Sequence, residues 1–295
     1  MAIRPLKYNV YIRLKSKKYL FEDNYDFVGF EKIKNPFLHW CADPFVIKKD
    51  DKVIVFAEIC NKITNKGFIG YYVIEPRKKS KWQKCLKTNK HLSFPNIFFK
   101  DGHYFMMPES SQASSVDVYI SNYFPQAWSH YKNLMKNVRY VDSIMDLANN
   151  AFISYSEQDN CLLYYRISND NCVLPPLSLV DYNYSLRPAG QLIKYKESLL
   201  LPTQDCKERY GGGIIFNDFA ISKNSFSVKR RFEIKYNDPK LLQICKSPYG
   251  VHTYNRYDDV EVIDIQVKTI NLFSILGKII RGFKLIFKWI QQRKY

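Results

Sequence analysis

The feature that most constrains this chain is a pattern that returns about every fifty residues, a period that marks propeller blades in an all-strand sequence. The first copy is Ala42-Asp43-Pro44-Phe45-Val46-Ile47, a polar turn over residues 48–52, then Val53-Ile54-Val55-Phe56-Ala57-Glu58. The second opens Phe94-Pro95-Asn96-Ile97-Phe98-Phe99, turns at Lys100-Asp101-Gly102 and ends Pro108-Glu109-Ser110. The third runs from Val141-Asp142-Ser143-Ile144-Met145 through a turn at Asn150 to Glu157. The fourth starts Arg187-Pro188-Ala189-Gly190, turns at Lys196-Glu197 and reaches Pro202 and Gln204-Asp205. A fainter fifth begins Gly250-Val251-His252-Thr253. Each copy reads as strand, tight turn and strand. Alternating segments such as Val116-Asp117-Val118-Tyr119-Ile120 supply later strands, and Trp82 and Trp128 suit anchors for outer strands between blades.

A four-stranded blade cannot bury both faces alone, so blades pack around an axis. The expected fold is therefore an all-β, five-bladed β-propeller over residues 1–268. Its innermost strands carry Asp43, Asn96, Asp142, Arg187 and His252 toward one hub. For any single position, starting a strand or capping a turn is a sufficient explanation. The set as a whole predicts a shared polar pocket.

Composition narrows the function classes. The seven cysteines are odd in number and show no CxxC spacing, which argues against a disulfide framework or a metal site. Tyr210-Gly211-Gly212-Gly213 has neither P-loop nor dinucleotide spacing and reads as a loop, so no cofactor is expected. The formal net charge of +17 calls for a polyanion, an anionic membrane or an acidic substrate. Basic residues are dispersed and no recognition module is present, so nucleic acid is not an expected partner. Residues 271–295 carry six basic and no acidic side chains. At about 100° per residue, Leu272, Leu276, Ile279, Phe283, Ile286, Phe287 and Ile290 share one face, while Lys278, Arg281, Lys284 and Lys288 share the other. Residues 269–295 thus read as a C-terminal amphipathic helix lying on an anionic membrane surface, with packing on the propeller or on a partner protein as the alternative. Free thiols and an amino terminus without a signal-like apolar run give the expected location: cytoplasmic, peripheral on the inner face of the membrane.

The candidate chemistry is acidic. Asp43, at the start of the first inner strand, suits a base or nucleophile. Glu109 has apolar neighbours in Met106-Met107-Pro108-Glu109 that favour a protonated carboxyl and hence a proton donor. Glu58 holds the matching place in its own blade and rivals it. Asp142 suits orienting the sugar or tuning the acid. Two carboxylates are the minimal equipment of glycosyl chemistry, one for the leaving group and one for the attacking group. Arg187 suits a carboxylate or phosphate, Gln204 and Asp205 suit sugar hydroxyls, and His252 closes the pocket.

These residues carry a family resemblance. Ala42-Asp43-Pro44-Phe45, Pro108-Glu109-Ser110, Arg187-Pro188-Ala189-Gly190, Gln204-Asp205-Cys206 with Tyr210-Gly211, and Gly250-Val251-His252-Thr253 resemble the amino-terminal propeller of plant glucosamine inositolphosphorylceramide transferases. They also resemble stand-alone bacterial proteins associated with surface polysaccharide synthesis. The likeness spans roughly residues 37–268, the extent of the five blade repeats. A more distant resemblance is to the five-bladed propellers of family 43 and family 32 glycoside hydrolases. In family 43 the general base opens the first blade, which implies that role for Asp43. A second Asp opens the second blade there, where this chain has Asn96. The acid Glu stands in the third blade there, whereas Glu109 ends the second-blade hairpin here.

The expected function is glycosyl transfer in the synthesis of a cell-surface polysaccharide or glycolipid. The donor would be a sugar nucleotide or lipid-linked sugar, and the acceptor a glycan. The alternatives are a glycoside hydrolase using the same carboxylates and a non-catalytic sugar-binding propeller that partners a transferase.

Overall fold

The computed structural model describes residues 6–75, 80–170 and 172–269. The chain starts with β1 (Leu6–Arg13) and β2 (Glu31–Lys32) and then builds four sheets in sequence. Blade 1 is β3 (His39–Lys49), β4 (Lys52–Asn61), β5 (Gly67–Ile74) and β6 (Gln83–Leu86). Blade 2 is β7 (Ser93–Lys100), β8 (His103–Glu109), β9 (Ser115–Tyr123) and β10 (Ala127–Lys136). Blade 3 is β11 (Tyr140–Asp146), β12 (Ala151–Ser156), β13 (Cys161–Arg166) and β14 (Leu177–Val180). Blade 4 is β15 (Ile193–Tyr195), β16 (Ser198–Asp205), β17 (Gly213–Ile221) and β18 (Phe226–Lys235). Blade 5 takes β19 (Gly250–Tyr257) and β20 (Val260–Lys268) from the end of the chain and β1 and β2 from its beginning, in the order β19-β20-β1-β2. The all-β, five-bladed propeller read from the repeat is the fold observed. Among the described residues no helix is long and apolar enough to cross a membrane. The expected C-terminal helix lies, beyond residue 269, outside the described residues.

The repeat works because each inner hairpin turns on a residue that tolerates left-handed backbone. Asp50, Asp101, Asn150, Lys196 and Asp258 all have φ between 45° and 53°. Asp and Asn reach this region at low cost, because their short polar side chains bond locally. Alternation along the strands then supplies apolar faces that pack blade against blade. Phe45 of blade 1 meets Phe94 of blade 2 edge-on, with ring centroids 4.9 Å apart. Trp128, on the outermost strand of blade 2, packs its ring against Phe56 of blade 1. Gly190, just before β15, lies close against blade 5. A Cβ there would lie 2.0 Å from the Tyr254 carbonyl oxygen.

Ring closure depends on β1. It pairs antiparallel with β20 from Leu6↔Lys268 to Arg13↔Glu261, so the two ends of the chain share one sheet. A buried charge pair sits where that ladder ends. Arg13 Nε donates to Glu261 Oε2 at 2.7 Å, and Tyr254 donates its hydroxyl to Glu261 Oε1 at 2.6 Å. Arg13 also reaches Asp26, and Arg256 reaches Glu261. Removing one partner of a buried pair strands the other charge. Arg13→Ala is therefore expected to cost about 3 kcal/mol in urea unfolding. A loss below about 1 kcal/mol, the range of exposed pairs, would show that closure does not lean on this pair.

Candidate active site

The inner strands are not regular ladders. Pairing breaks between Ala42 and Phe45, between Ser93 and Asn96, between Val141 and Ile144, and between Val251 and Tyr254. Each break is a two-residue bulge at the same height of its blade: Asp43-Pro44, Phe94-Pro95, Asp142-Ser143 and His252-Thr253. Bulges re-aim side chains, and the bulged residues Asp43, Phe94 and Asp142 hold left-handed φ values of 51°, 43° and 48°. Pro44 and Pro95 fit because a bulge leaves their missing N–H without a ladder partner to satisfy. In blade 4 the chain bonds to β16 through Arg187 and Ala189, then leaves the ladder until β15 begins.

The bulges surround a cavity of about 250 Å³ on the propeller axis. Asp43 and Glu58 from blade 1, Glu109 from blade 2, Asp142 from blade 3, Arg187 from the blade 3–4 connection and His252 from blade 5 all line it. Glu58 and Glu109 are true counterparts, paired with Ala42 and Ser93, the residues just before the bulges. Gln204 does not line the cavity but stands behind it, its amide donating to Asp142 Oδ2 at 3.1 Å and to the Pro188 carbonyl. Two expected members lie elsewhere. Asn96 is back in the ladder opposite Met107, and its side-chain oxygen accepts from the Met145 backbone N–H at 3.0 Å. Phe94 fills the place that Asp43 and Asp142 take in their blades. In blade 2 the bulged pair is Phe94-Pro95, one step before the polar side chain of Asn96. Asp205, at the end of β16, lines a different cavity toward β14 and β18, and accepts from the Lys207 N–H.

The carboxylates are held by named partners. Asp264 of β20 accepts from the backbone N–H of Asp43 at 2.9 Å and of Thr253 at 3.0 Å, and from His252 Nδ1 at 2.9 Å. The Thr253 hydroxyl donates to Asp43 Oδ1 at 2.9 Å. Arg187 Nε donates to Asp142 Oδ2 at 2.5 Å, its Nη1 to Glu157 at 2.6 Å, and its Nη2 lies 3.7 Å from Glu109. Glu109 therefore has Ser111, donating at 2.8 Å, and Arg187 as neighbours, not only the apolar side chains that its sequence context suggests. His91 Nε2 lies 3.2 Å from Glu58. Aromatic rings complete the wall. Tyr8 stacks on His252 at 4.4 Å and leans on Trp40, and Tyr210 meets the other rim of His252 edge-on.

Tyr8, Trp40, His91, Thr253 and Asp264 were not singled out by sequence reasoning. Tyr8 arrives only through ring closure. Asp264 did carry a signal, a carboxylate between Ile263 and Ile265, where an unpaired charge is costly.

Burial pushes the Asp43 carboxyl up to about 6, against the pull of His252. It pushes Asp142 up to about 7, against Arg187. Burial likewise raises Glu58, with His91 drawing it back, while the neighbouring Glu58 carboxylate raises His91. Burial alone would lower His252, but Asp264, then Asp43 and Asp142, outweigh it and lift the imidazolium to about 9. A histidine raised in this way adds stability that is complete below about 6.5, its unfolded value, and is lost as pH rises through about 9. His252→Gln is expected to flatten the fall of the thermal midpoint across that window. Identical slopes in both proteins would show that His252 does not carry the charge.

The family model for the N-terminal region of glucosamine inositolphosphorylceramide transferase 1 matches residues 31–241. Curated proteins of that name from Arabidopsis thaliana and from Oryza sativa subsp. indica are 28% and 27% identical over 188 and 189 residues. Each alignment covers 59% of this chain, but 24% and 25% of the relative, so the chain spans about a quarter of their length. Among solved structures, the RS223 β-xylosidase superposes with a TM-score of 0.55 at 10% identity, covering 80% of this chain and 94% of that one. An exo-β-1,3-galactanase from Phanerochaete chrysosporium gives 0.54 at 11% identity, covering 90% and 62%. At such identities the structural likeness is one of fold. The family match runs from the last strand of blade 5's N-terminal pair through blade 4, and by it the chain belongs to the glucosamine inositolphosphorylceramide transferase 1 N-terminal family.

Proposed function

We propose that this chain is a glycosyl-transferring enzyme of cell-surface polysaccharide or glycolipid synthesis, with the sugar seated in the axial cavity. The observation that carries this reading is the convergence of Asp43, Glu109 and Asp142, from three separate blades, on one small cavity beside Arg187 and His252. Family membership supports the transfer class, because the relatives are named as transferases of a glucosamine unit.

In this reading Asp43 is the base. Raised to about 6, it is ionised at neutral pH yet basic enough to accept a proton from the acceptor hydroxyl. That oxygen bonds to the anomeric carbon as the bond to the leaving oxygen breaks. Glu109 is the proton donor to the leaving oxygen, with Glu58 as its rival. The buried Glu58 carboxyl beside His91 gives the rival physical substance, since burial favours its protonated form. Asp142, gripped by Arg187 and Gln204, positions sugar hydroxyls. The donor is a sugar nucleotide or lipid-linked sugar and the acceptor a glycan. Residues 271–295, with six basic and no acidic side chains, hold the enzyme against an anionic leaflet on the inner face of the membrane.

Asp43→Asn and Glu109→Gln are each expected to lower turnover about 10²- to 10⁴-fold, the usual range for a lost acid or base, with thermal midpoints near that of the parent. If Glu58→Gln abolishes turnover and Glu109→Gln does not, the proton donor is Glu58. Full activity in Asp43→Asn overturns the site. Product formed only with water as acceptor makes the protein a hydrolase, and sugar binding without turnover in any form makes it a binding propeller.

A further inference from the structure

A second cavity has the opposite character to the acidic hub. It occupies the seam between blades 5 and 1, has a volume of about 780 Å³, and is lined by Lys7, Lys32, Lys34, Lys62 and Lys81. Among the described residues no carboxylate lines it and none forms an ion pair with these five lysines. Lysines gathered without counter-charges repel one another, and two of these show it. Partial burial first, and the charge of Lys7 next, lower both Lys32 and Lys62. Trp82 also lines the cleft, and its indole Nε1 is buried without a hydrogen-bond partner. Buried donors are normally satisfied, so an acceptor is missing here.

The same stretches of chain build both cavities. Tyr8 lines the hub while Lys7 and Asn9 line the cleft; Trp40 lines the hub while Phe37 and Leu38 line the cleft. Cys60 lines the hub and Lys62, two residues on, the cleft. Neighbouring residues of these stretches therefore serve cavities of opposite charge.

We propose that the cleft between blades 5 and 1 binds the phosphate or diphosphate of the substrate whose sugar occupies the axial cavity. The assignment rests on the sugar-site reading of that cavity. Lysine ammonium groups bind phosphate as point charges, without demanding fixed geometry. One phosphoryl group near several of them relieves their repulsion, most strongly at low salt.

The test is calorimetric titration of the full chain with inorganic pyrophosphate. Saturable one-site binding is expected, weakened about tenfold or more in Lys32→Gln/Lys62→Gln. The exposed pair Lys34→Gln/Lys81→Gln gives the same readout should the first variant fail to fold. Competition by uridine diphosphate assigns the phosphates to a nucleotide, and competition only by vesicles bearing a polyprenyl phosphate assigns them to a lipid carrier. No saturable binding, or affinity unchanged in a folded variant, overturns the proposal. The hub is tested separately. Pyrophosphate binding with full turnover in Asp43→Asn removes the sugar site and leaves the anion site, and the reverse pair of results does the opposite.

Discussion

The hub of this propeller is organised by one buried carboxylate. Asp264 is inaccessible to solvent and accepts from the backbone of Asp43 in blade 1, from the backbone of His252 and Thr253 in blade 5, and from the His252 ring. A buried carboxylate is tolerable only when such donors replace its lost water. Here those donors are the bulged stretches of two inner strands, so satisfying Asp264 also fixes where Asp43 and His252 point. The positive charge that this favours on His252 in turn holds the Asp43 carboxyl down against its burial. Ring closure, bulge geometry and site electrostatics are therefore one problem with one solution. The β1–β20 ladder brings Tyr8 onto the same histidine.

Much of this was legible in the sequence, and the limits have physical causes. The repeat gave the blades because every inner hairpin needs the same turn chemistry and the same alternation. Asp43, Asp142, Arg187 and His252, which the repeat aligns, all line the axial cavity, the first, second and fourth from bulged inner strands and Arg187 from the connection before blade 4. The repeat misaligned the second blade. Asn96 is the polar residue at the opening of the second copy, yet it stands in the ladder, and the bulged residues are Phe94 and Pro95. Gln204 was legible as a polar residue near the hub but not as a support for Asp142. Tyr8 was invisible because its blade is completed by strands from opposite ends of the chain, a pairing with no local signature. Asp205 follows Gln204 on a strand and so faces the other way, a consequence of two-residue periodicity that a motif read as a unit conceals.

Part of the positive charge of the chain also acquires a location. A net charge of +17 on a protein with an acidic hub is unexplained until the basic side chains are placed. Among the described residues, lysines without carboxylate partners collect at the seam where blade 5 meets blade 1, while the acids collect in the axial cavity. A sugar phosphate or sugar diphosphate has the same division of character. Under the proposed function, the hub would take the sugar and the seam the phosphate that distinguishes an activated sugar from a free one.

The most direct test of the central claim is a crystal structure of the protein soaked with a panel of monosaccharides that includes glucosamine. The account expects a sugar ring inside the axial cavity, with hydroxyls in hydrogen-bond contact with Asp43 and Asp142. Sugar bound only elsewhere, while the hub holds nothing but solvent, would contradict it.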